Sequence, residues 1–335
     1  MYPELLRYLC DPIDRTGLTL SAAETSADGR IVTGALRSGS GHTFQIIDGI
    51  PRFVATREET ESVASFGEEW NYFNFDEFEL NWLQHTVVNT FGSPEYFSGK
   101  LVVDAGGGSG MQTRWMREHG ARHVICLELS DSVDGVAAAN LASLSEVDLV
   151  QCSIDEPPIR DGSIEGIVIC HNVIQHTRSV EDTARALWRI VAPGGELVFN
   201  CYPKNDQGFL RATRFQVYVR IRRFLSRRSF RVRLLYSRSM AVIRFVPVVG
   251  RLFELAGLMI RGEVPMGPGF RRRAYKQGLL NTFDLFGAHQ YQHHKTNEEI
   301  LALIGSLDPQ PREVLNVEAY FRRPPPPGIA LRLRK

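Results

Sequence analysis

Cysteine is sparse and unpatterned: the five residues Cys10, Cys126, Cys152, Cys170 and Cys201 form no C-x-x-C pair and no regular spacing. A disulfide scaffold and a cage of paired thiolates are therefore not expected, and the thiols should be reduced. Four of the five stand in or beside apolar runs, where cysteine behaves as a small buried hydrophobe. A long uninterrupted apolar run is also missing. The most apolar later stretch, Met240 to Ile260, is broken by Arg244, Arg251 and Glu254, which argues against a spanning helix. The opening stretch MYPELLRYLCDPIDR lacks the basic start and apolar block of a secretion signal, so a cytoplasmic location is the default expectation.

Net charge is nearly absent at +1, but it is unevenly spread. Residues 211–251 hold twelve arginines and no lysine, aspartate or glutamate, leaving 27 basic against 38 acidic residues elsewhere. Apolar residues interleave with these arginines in RATRFQVYVRIRRFLSRRSFRVRLLYSRSM, as on an amphipathic helix. A solvated face, an anionic membrane, RNA, or a phosphate, sulfate or carboxylate on a substrate would each account for the block, with Arg222 and Arg223 as candidate contacts.

The chain is 335 residues long and 43% hydrophobic, which can build a sizeable core. Residues 101–200 alternate short apolar runs with amphipathic stretches, the βαβα pattern of a parallel sheet covered by helices. The expected strands are LVVDA, HVICLEL, VDLVQC, GIVIC and ELVFN, with helices over Met111–His119, Val133–Leu144 and Val180–Val191. The last is closed by Pro193-Gly194. The expected fold is α/β, a doubly wound, Rossmann-like, mostly parallel sheet. Five segments are expected: a small β-rich unit over 1–57, a helical linker over 58–100, a cofactor-binding core over 101–203, an Arg-rich helical cap over 204–290, and a C-terminal part over 291–335. In the front unit IVTGAL, HTFQII and PRFVA read as extended. In the C-terminal part Thr296 and Glu299 form a capping box before a helix over Asn297–Ser306, and EVLNVEAYF and IALRLRK read as strands that complete the sheet.

VVDAGGGSG carries the strongest local signal: a buried strand ends in Asp104 and runs into Gly106, Gly107, Gly108 and Gly110 before a helix. Glycines let the backbone turn and approach a ligand at the sheet edge where open α/β sheets bind nucleotides. A dinucleotide fingerprint from Gly106 and Gly108 would need a third glycine at Met111, which weakens an NAD reading. No Gly-Lys-Ser/Thr follows, which excludes a phosphate loop of that type. Glu128, near the end of HVICLEL, can accept both ribose hydroxyls of an adenosine.

These residues, D-A-G-G-G-S-G, ICLELS, EPPIRDGSIEGIVI and RIVAPGGELVF in order, resemble the class I S-adenosylmethionine (SAM) dependent methyltransferases over about residues 100–203. The resemblance implies SAM as cofactor, with Asp104, Gly106 and Gly108 at its methionine moiety, Glu128 at the ribose and Leu129 at the adenine face. Gly107 stands where the family usually has cysteine. Ser153 stands where an aspartate usually holds the adenine amino group, with Asp155 two residues on as the alternative. LLRYLCDPIDRTGLTL and GALRSGSGHTFQIIDGIPRF resemble the small zinc-ribbon-like domain that precedes many bacterial methyltransferases and also exists as a separate activating subunit. Zinc-binding versions carry four cysteines; this one keeps Cys10, with Ser38 and Ser40 in the region of the second pair, so no metal is expected. SFGEEWNYF resembles the SFG-x-x-W segment that joins such a domain to the catalytic core. The resemblance implies a small-molecule, sugar or lipid-linked substrate and a biosynthetic role.

A methyl transfer needs an aligned nucleophile and, for some nucleophiles, a base. CHNVIQH after the fourth strand offers His171, Asn172, Gln175 and His176, and imidazole titrates in the useful range. His171 and His176 are the candidate bases. HQYQHH offers His289, Tyr291, His293 and His294 as substrate contacts, joined by Tyr202 after the fifth strand. No N-P-P-Y-like segment follows the fourth strand, which argues against nucleic-acid base methylation. Two other readings stay open: a SAM-binding enzyme that catalyses an elimination, cyclisation or rearrangement without using the methyl group, and a non-catalytic subunit of a protein partner.

Overall fold

A computed structural model describes residues 1–54, 67–73, 76–204, 209–259, 269–287 and 291–335. Its backbone is organised on an eleven-stranded sheet. Five parallel strands form the middle: β5 (Leu101–Ala105), β6 (His123–Glu128), β7 (Val147–Gln151), β8 (Ile167–Cys170) and β9 (Glu196–Phe199). They stand in the order β7-β6-β5-β8-β9, so the chain reverses direction across the sheet between β5 and β8. These strands are almost wholly buried and mostly apolar because helices cover both faces, with Asp104, His123, Glu128, Asp148 and Glu196 as buried polar exceptions. The helices Met111–Glu118 and Val180–Ile190 lie within the spans read from the sequence, and the second is capped by Ser179, whose side chain accepts from the Asp182 N–H. The segment Val133–Leu144 splits into a 3-10 turn at Asp131–Asp134 and a shorter helix, Val136–Leu141.

The front residues do not form a sheet apart. β1 (Leu18–Thr25), β2 (Ile31–Ser38), β3 (Thr43–Ile47) and β4 (Ile50–Arg52) make an antiparallel meander, and β4 joins the edge of β7 in parallel through Arg52 and Gln151. Arg52 reinforces the seam by bonding the Gln151 amide oxygen at 2.9 Å and the Asp134 carboxylate at 2.5 Å. Asp11, Asp14 and His42 bring ligand atoms within 4.8 Å of one another here. His42 Nδ1 and Asp11 Oδ2 already pair at 2.7 Å, Ser38 and Ser40 share a hydrogen bond at 2.8 Å, and Cys10 is not in the group.

At the other edge β13 (Leu331–Arg334) runs antiparallel to β9, and β12 (Glu313–Val314) pairs with β13. EVLNVEAYF is thus a strand only at its first two residues; Val317–Phe321 is a helix. Asn316 makes the break. Its side chain donates to the Ala330 carbonyl at 2.8 Å and accepts from the Arg332 N–H at 3.0 Å, taking the place that a continuing strand would fill. The helix Asn297–Gly305 begins with a capping box formed by Thr296 and Glu299.

The insertion contains the helices Phe209–Leu225, Phe230–Ile243, Pro247–Leu255 and Phe270–Gly287. Its entry and exit are held together by two short parallel strands, β10 (Tyr202–Pro203) and β11 (His294–Lys295). A cluster of apolar side chains separate from the sheet core, including Leu234, Ala241, Leu279 and Phe283, binds the helices Phe230–Ile243 and Phe270–Gly287 to each other. All five cysteines are buried and unpaired. No helix among the described residues is long and apolar enough to cross a membrane.

Candidate active site

A cavity of about 710 Å³ opens at the carboxyl ends of β5, β6 and β8, where the strand order reverses. That is the edge at which open α/β sheets bind ligands. One wall is the β5 glycine turn. Gly106 sits at φ +91°, and a side-chain carbon there would stand 2.5 Å from Val173. Gly108 lies under Trp70, whose ring would be 2.9 Å from such a carbon. Gly107 explains its own departure from the family pattern: a carbon there would meet Cys126 Sγ at 2.2 Å, so the Cys126 thiol fills the space beside the turn.

Glu128 is buried and holds the turn from below, its two oxygens accepting from the Gly108 and Ser130 N–H groups at 2.7 Å each. Asp104 is also buried and accepts from Thr113 Oγ at 2.6 Å. Burial lifts the Asp104 carboxyl to about 6 despite the Thr113 bond, and Glu128 adds to the rise. Burial raises Glu128 as well, against the hydrogen bonds from Ser130 and Gly108. Two buried carboxyls at the ends of β5 and β6, beside the glycine turn, suit a cationic ligand with hydroxyl groups. SAM, which carries an ammonium, a sulfonium and a ribose, matches both demands. Leu129, Ser153 and Asp155 line the same cavity; the Ser153 hydroxyl accepts from the Asp155 N–H, and Asp155 accepts from Thr183 Oγ.

The opposite wall comes from the cap and from the segment before the core: Gln277, Leu280, Asn281 and Asp284 on one side, Glu69, Trp70, Asn81 and Trp82 on the other. His171 and His176 both line the cavity but differ in chemistry. Asn172 bends the chain after β8 at φ +59°, and the Asn200 side chain clamps the turn by accepting from its N–H at 2.6 Å. His171 faces the Gly328 carbonyl with Nε2 at 3.2 Å, and burial pushes its pKa down to about 4. It is a neutral imidazole and a weak base. His176 uses Nδ1 on the Tyr291 carbonyl at 3.1 Å, which requires the proton on Nδ1 and leaves the Nε2 lone pair 3.8 Å from Asp284 Oδ1. Asp284 Oδ2 accepts from the Tyr202 hydroxyl at 2.7 Å, and the rings of His176 and Tyr202 meet edge to face at 5.5 Å. Burial and the neighbouring Asp284 carboxylate raise the Tyr202 phenol well above its ordinary range, keeping it a donor. Glu69 is driven upward by burial first and by Asp284 second.

Of the other expected contacts Tyr291 lines the cavity, whereas Tyr202 is not among the lining residues, His293 turns its Nε2 to the Thr177 carbonyl and His289 lies outside the described residues. Neither Arg222 nor Arg223 is in the wall. Arg222 is half-buried inside the cap, where burial lowers its pKa and Tyr218 and Asp284 oppose the fall; Arg223 is exposed on the outer surface. Among the described residues the cavity instead carries Glu69, Asp104, Glu128, Asp155 and Asp284 against one guanidinium, Arg178. Glu69, Trp70, Asn281 and Asp284 received no role from the sequence. Trp70 is the tryptophan of SFG-x-x-W, and Asp284 is the lone acid of the helix Phe270–Gly287, which were the available signals.

The fold and the glycine turn are similar to those of class I, SAM-dependent methyltransferases. Residues 103–199 match the family model described as a methyltransferase domain. The chain is 30% identical over 122 residues to the ubiquinone biosynthesis O-methyltransferase of Citrobacter koseri, covering 36% of this chain and 50% of that protein. The Escherichia coli protein of the same name is 29% identical over the same length and the same shares. The chain therefore spans about half the length of the curated relatives it matches. Among solved structures, the N-methyltransferase NodS from Bradyrhizobium japonicum, in complex with S-adenosyl-L-homocysteine, superposes with a TM-score of 0.36 at 14% identity, over 42% of this chain and 72% of that one.

Proposed function

We propose that this chain is an O-methyltransferase in which His176 takes the proton of an acceptor hydroxyl held between the core and the cap. The observation that carries the reading is the pairing of His176 from the core with Asp284 from the cap at the cavity, with Tyr202 bonded to Asp284 from outside the cavity lining. The cofactor, when bound, supplies an electrophilic methyl carbon on a sulfonium. Asp104 and Glu128 would hold it through its ammonium and ribose. His176 Nε2, with Nδ1 fixed on the Tyr291 carbonyl, receives the proton, and the Asp284 carboxylate stabilises the imidazolium that results. Tyr202 keeps Asp284 in place by donating to its other oxygen. Glu69, Asn81, Gln277 and Asn281 offer hydrogen bonds to an acceptor with several polar groups, and the excess of carboxyls in the wall disfavours a multiply anionic acceptor. The relatives of 29–30% identity are named as O-methyltransferases, which supports oxygen as the acceptor atom.

The test is incubation of the protein with methyl-labelled SAM and extracts of small hydroxylated metabolites. Label in a methyl ether, with loss of SAM in equal amount, is the expected result. Product formed while labelled SAM is recovered unconsumed would overturn the reading in favour of a non-methylating reaction.

A further inference from the structure

The outer surface of the cap has a pattern that the cavity does not use. On the helix Phe230–Ile243, Arg231, Leu235, Arg238 and Val242 are all exposed and fall at helical spacing of three or four residues, so they form one stripe. Apolar exposure continues through Phe245 and Val246 into the helix Pro247–Leu255. There Val248 is 71% exposed, Leu252 58% and Leu255 57%, and of the residues of that helix only Gly250 is buried. Exposed large apolar side chains in such a contiguous run mark a surface that another phase or molecule covers.

The charges around this run name the occupant. Arg220, Arg223, Arg227, Arg228 and Arg231 are exposed in the span 211–251, which holds no lysine and no acid, while Arg251 is paired at 3.0 Å with Glu254 on its own helix and leaves that helix without net charge. We propose that this face docks the protein on an anionic lipid surface, with Val248, Leu252 and Leu255 entering the acyl boundary and the arginines meeting the headgroups. A basic, apolar-faced helix that cannot span is the form an in-plane membrane helix takes. A second copy fits poorly, because pairing two such faces sets guanidinium against guanidinium. Nucleic acid would satisfy the arginines but leave the aliphatic side chains in water. Docking here sets the cap against the bilayer: Phe230–Ile243 packs on Phe270–Gly287, which supplies Gln277, Asn281 and Asp284 to the cavity wall. The docking claim does not depend on the proposed reaction.

The test is co-sedimentation of the full chain, without cofactor or acceptor, with vesicles of phosphatidylglycerol mixed with phosphatidylcholine and with vesicles of phosphatidylcholine alone. Binding to the mixed vesicles that weakens in high salt is expected. Each exposed arginine near the surface contributes about fivefold in affinity, so R228E/R231E should weaken binding by about 25-fold or more. Glutamate at position 231 sits in the first helical turn, where a negative charge favours the helix, so the fold should persist. V248D/L252D should abolish binding while leaving the circular dichroism spectrum and thermal midpoint within error of the parent. Equal sedimentation with both vesicle types, none with either, or vesicle binding unmoved by both double variants overturns the proposal. So would a dimer that V248D/L252D disperses in the absence of vesicle binding.

Discussion

The two histidines of CHNVIQH are separated by their surroundings more than by their place in the sequence. His171 has its Nε2 committed to Gly328 and is too weak a base at about 4, whereas His176 presents Nε2 beside a carboxylate. His176→Ala should reduce kcat by about 10²–10⁴-fold with SAM affinity retained. Asp284→Asn should leave a slower enzyme whose alkaline-side plateau begins at lower pH, because the imidazolium loses its counter-charge. Both follow from pH–rate profiles alongside calorimetric SAM binding, and full activity in His176→Ala would remove His176 as the base. Spacing alone could not separate these two residues. The distinction depends on the Gly328 and Tyr291 carbonyls, 157 and 115 residues away in sequence. Gly107 makes a second residue-scale case. Restoring the family's usual residue with Gly107→Cys should destabilise the protein by about 1–3 kcal/mol through overpacking against Cys126. Cys126→Ala should be largely permissive for that change, and a thermal-denaturation double-mutant cycle measures the coupling. Additive effects would show that the two sites do not share the space.

Elements were legible in proportion to how far local pattern alone determines them. β5 to β9 could be read because each is buried on both faces and bounded by glycine, proline or charge. β1 was missed because LTLSAAET is mostly small or polar, and its alternation is confined to Leu18-Thr19-Leu20-Ser21. EVLNVEAYF misled because the apolar, β-branched start at Val314-Leu315 gives way to Val317, Tyr320 and Phe321 at helical spacing, and the switch depends on Asn316 bonding to Ala330 and Arg332. That strand is itself pinned by charge. Glu196, buried in β9, accepts from Arg332 at 2.8 Å, Arg334 at 3.0 Å and the Tyr96 hydroxyl at 2.6 Å. The guanidiniums and the Tyr96 bond hold its carboxyl below the ordinary range although burial pushes the other way. Glu196→Ala leaves Arg332 buried without its partner and should cost about 3 kcal/mol, with Glu196→Gln costing less. Hydrogen exchange should show the loss first at Leu331 and Leu333, and unchanged protection there would mean that packing alone holds β13.

At the scale of the whole molecule, the glycine-turn side and the cap side of the cavity were unequally visible. The glycine turn and Glu128 come from one βαβ unit, whereas Glu69, His176 and Asp284 reach the cavity from three segments that no periodicity connects. If Asp104 meets the cofactor's ammonium as proposed, binding should depend on pH. Asp104 titrates at about 6 in the folded protein and near 3.9 when unfolded, because burial disfavours its charge. Its folded pKa is raised, so its contribution to stability is fully present below about pH 4 and is lost as pH rises through about 6, a loss of about 3 kcal/mol. His171 has the opposite sign: with a folded pKa of about 4, its contribution is present above about pH 6.5 and is lost as pH falls through about 4. Only the Asp104 contribution should respond to the cofactor, whose ammonium favours the ionised carboxyl. SAM affinity should therefore be about tenfold weaker near pH 5 than near pH 7.5, and the thermal shift on adding SAM should grow over that interval. Asp104→Asn should raise the stability of the cofactor-free protein near neutrality and remove the pH dependence of SAM affinity while weakening binding at high pH. Calorimetry across the interval decides the matter: affinity independent of pH in the parent protein would show that Asp104 does not meet the cofactor's charge.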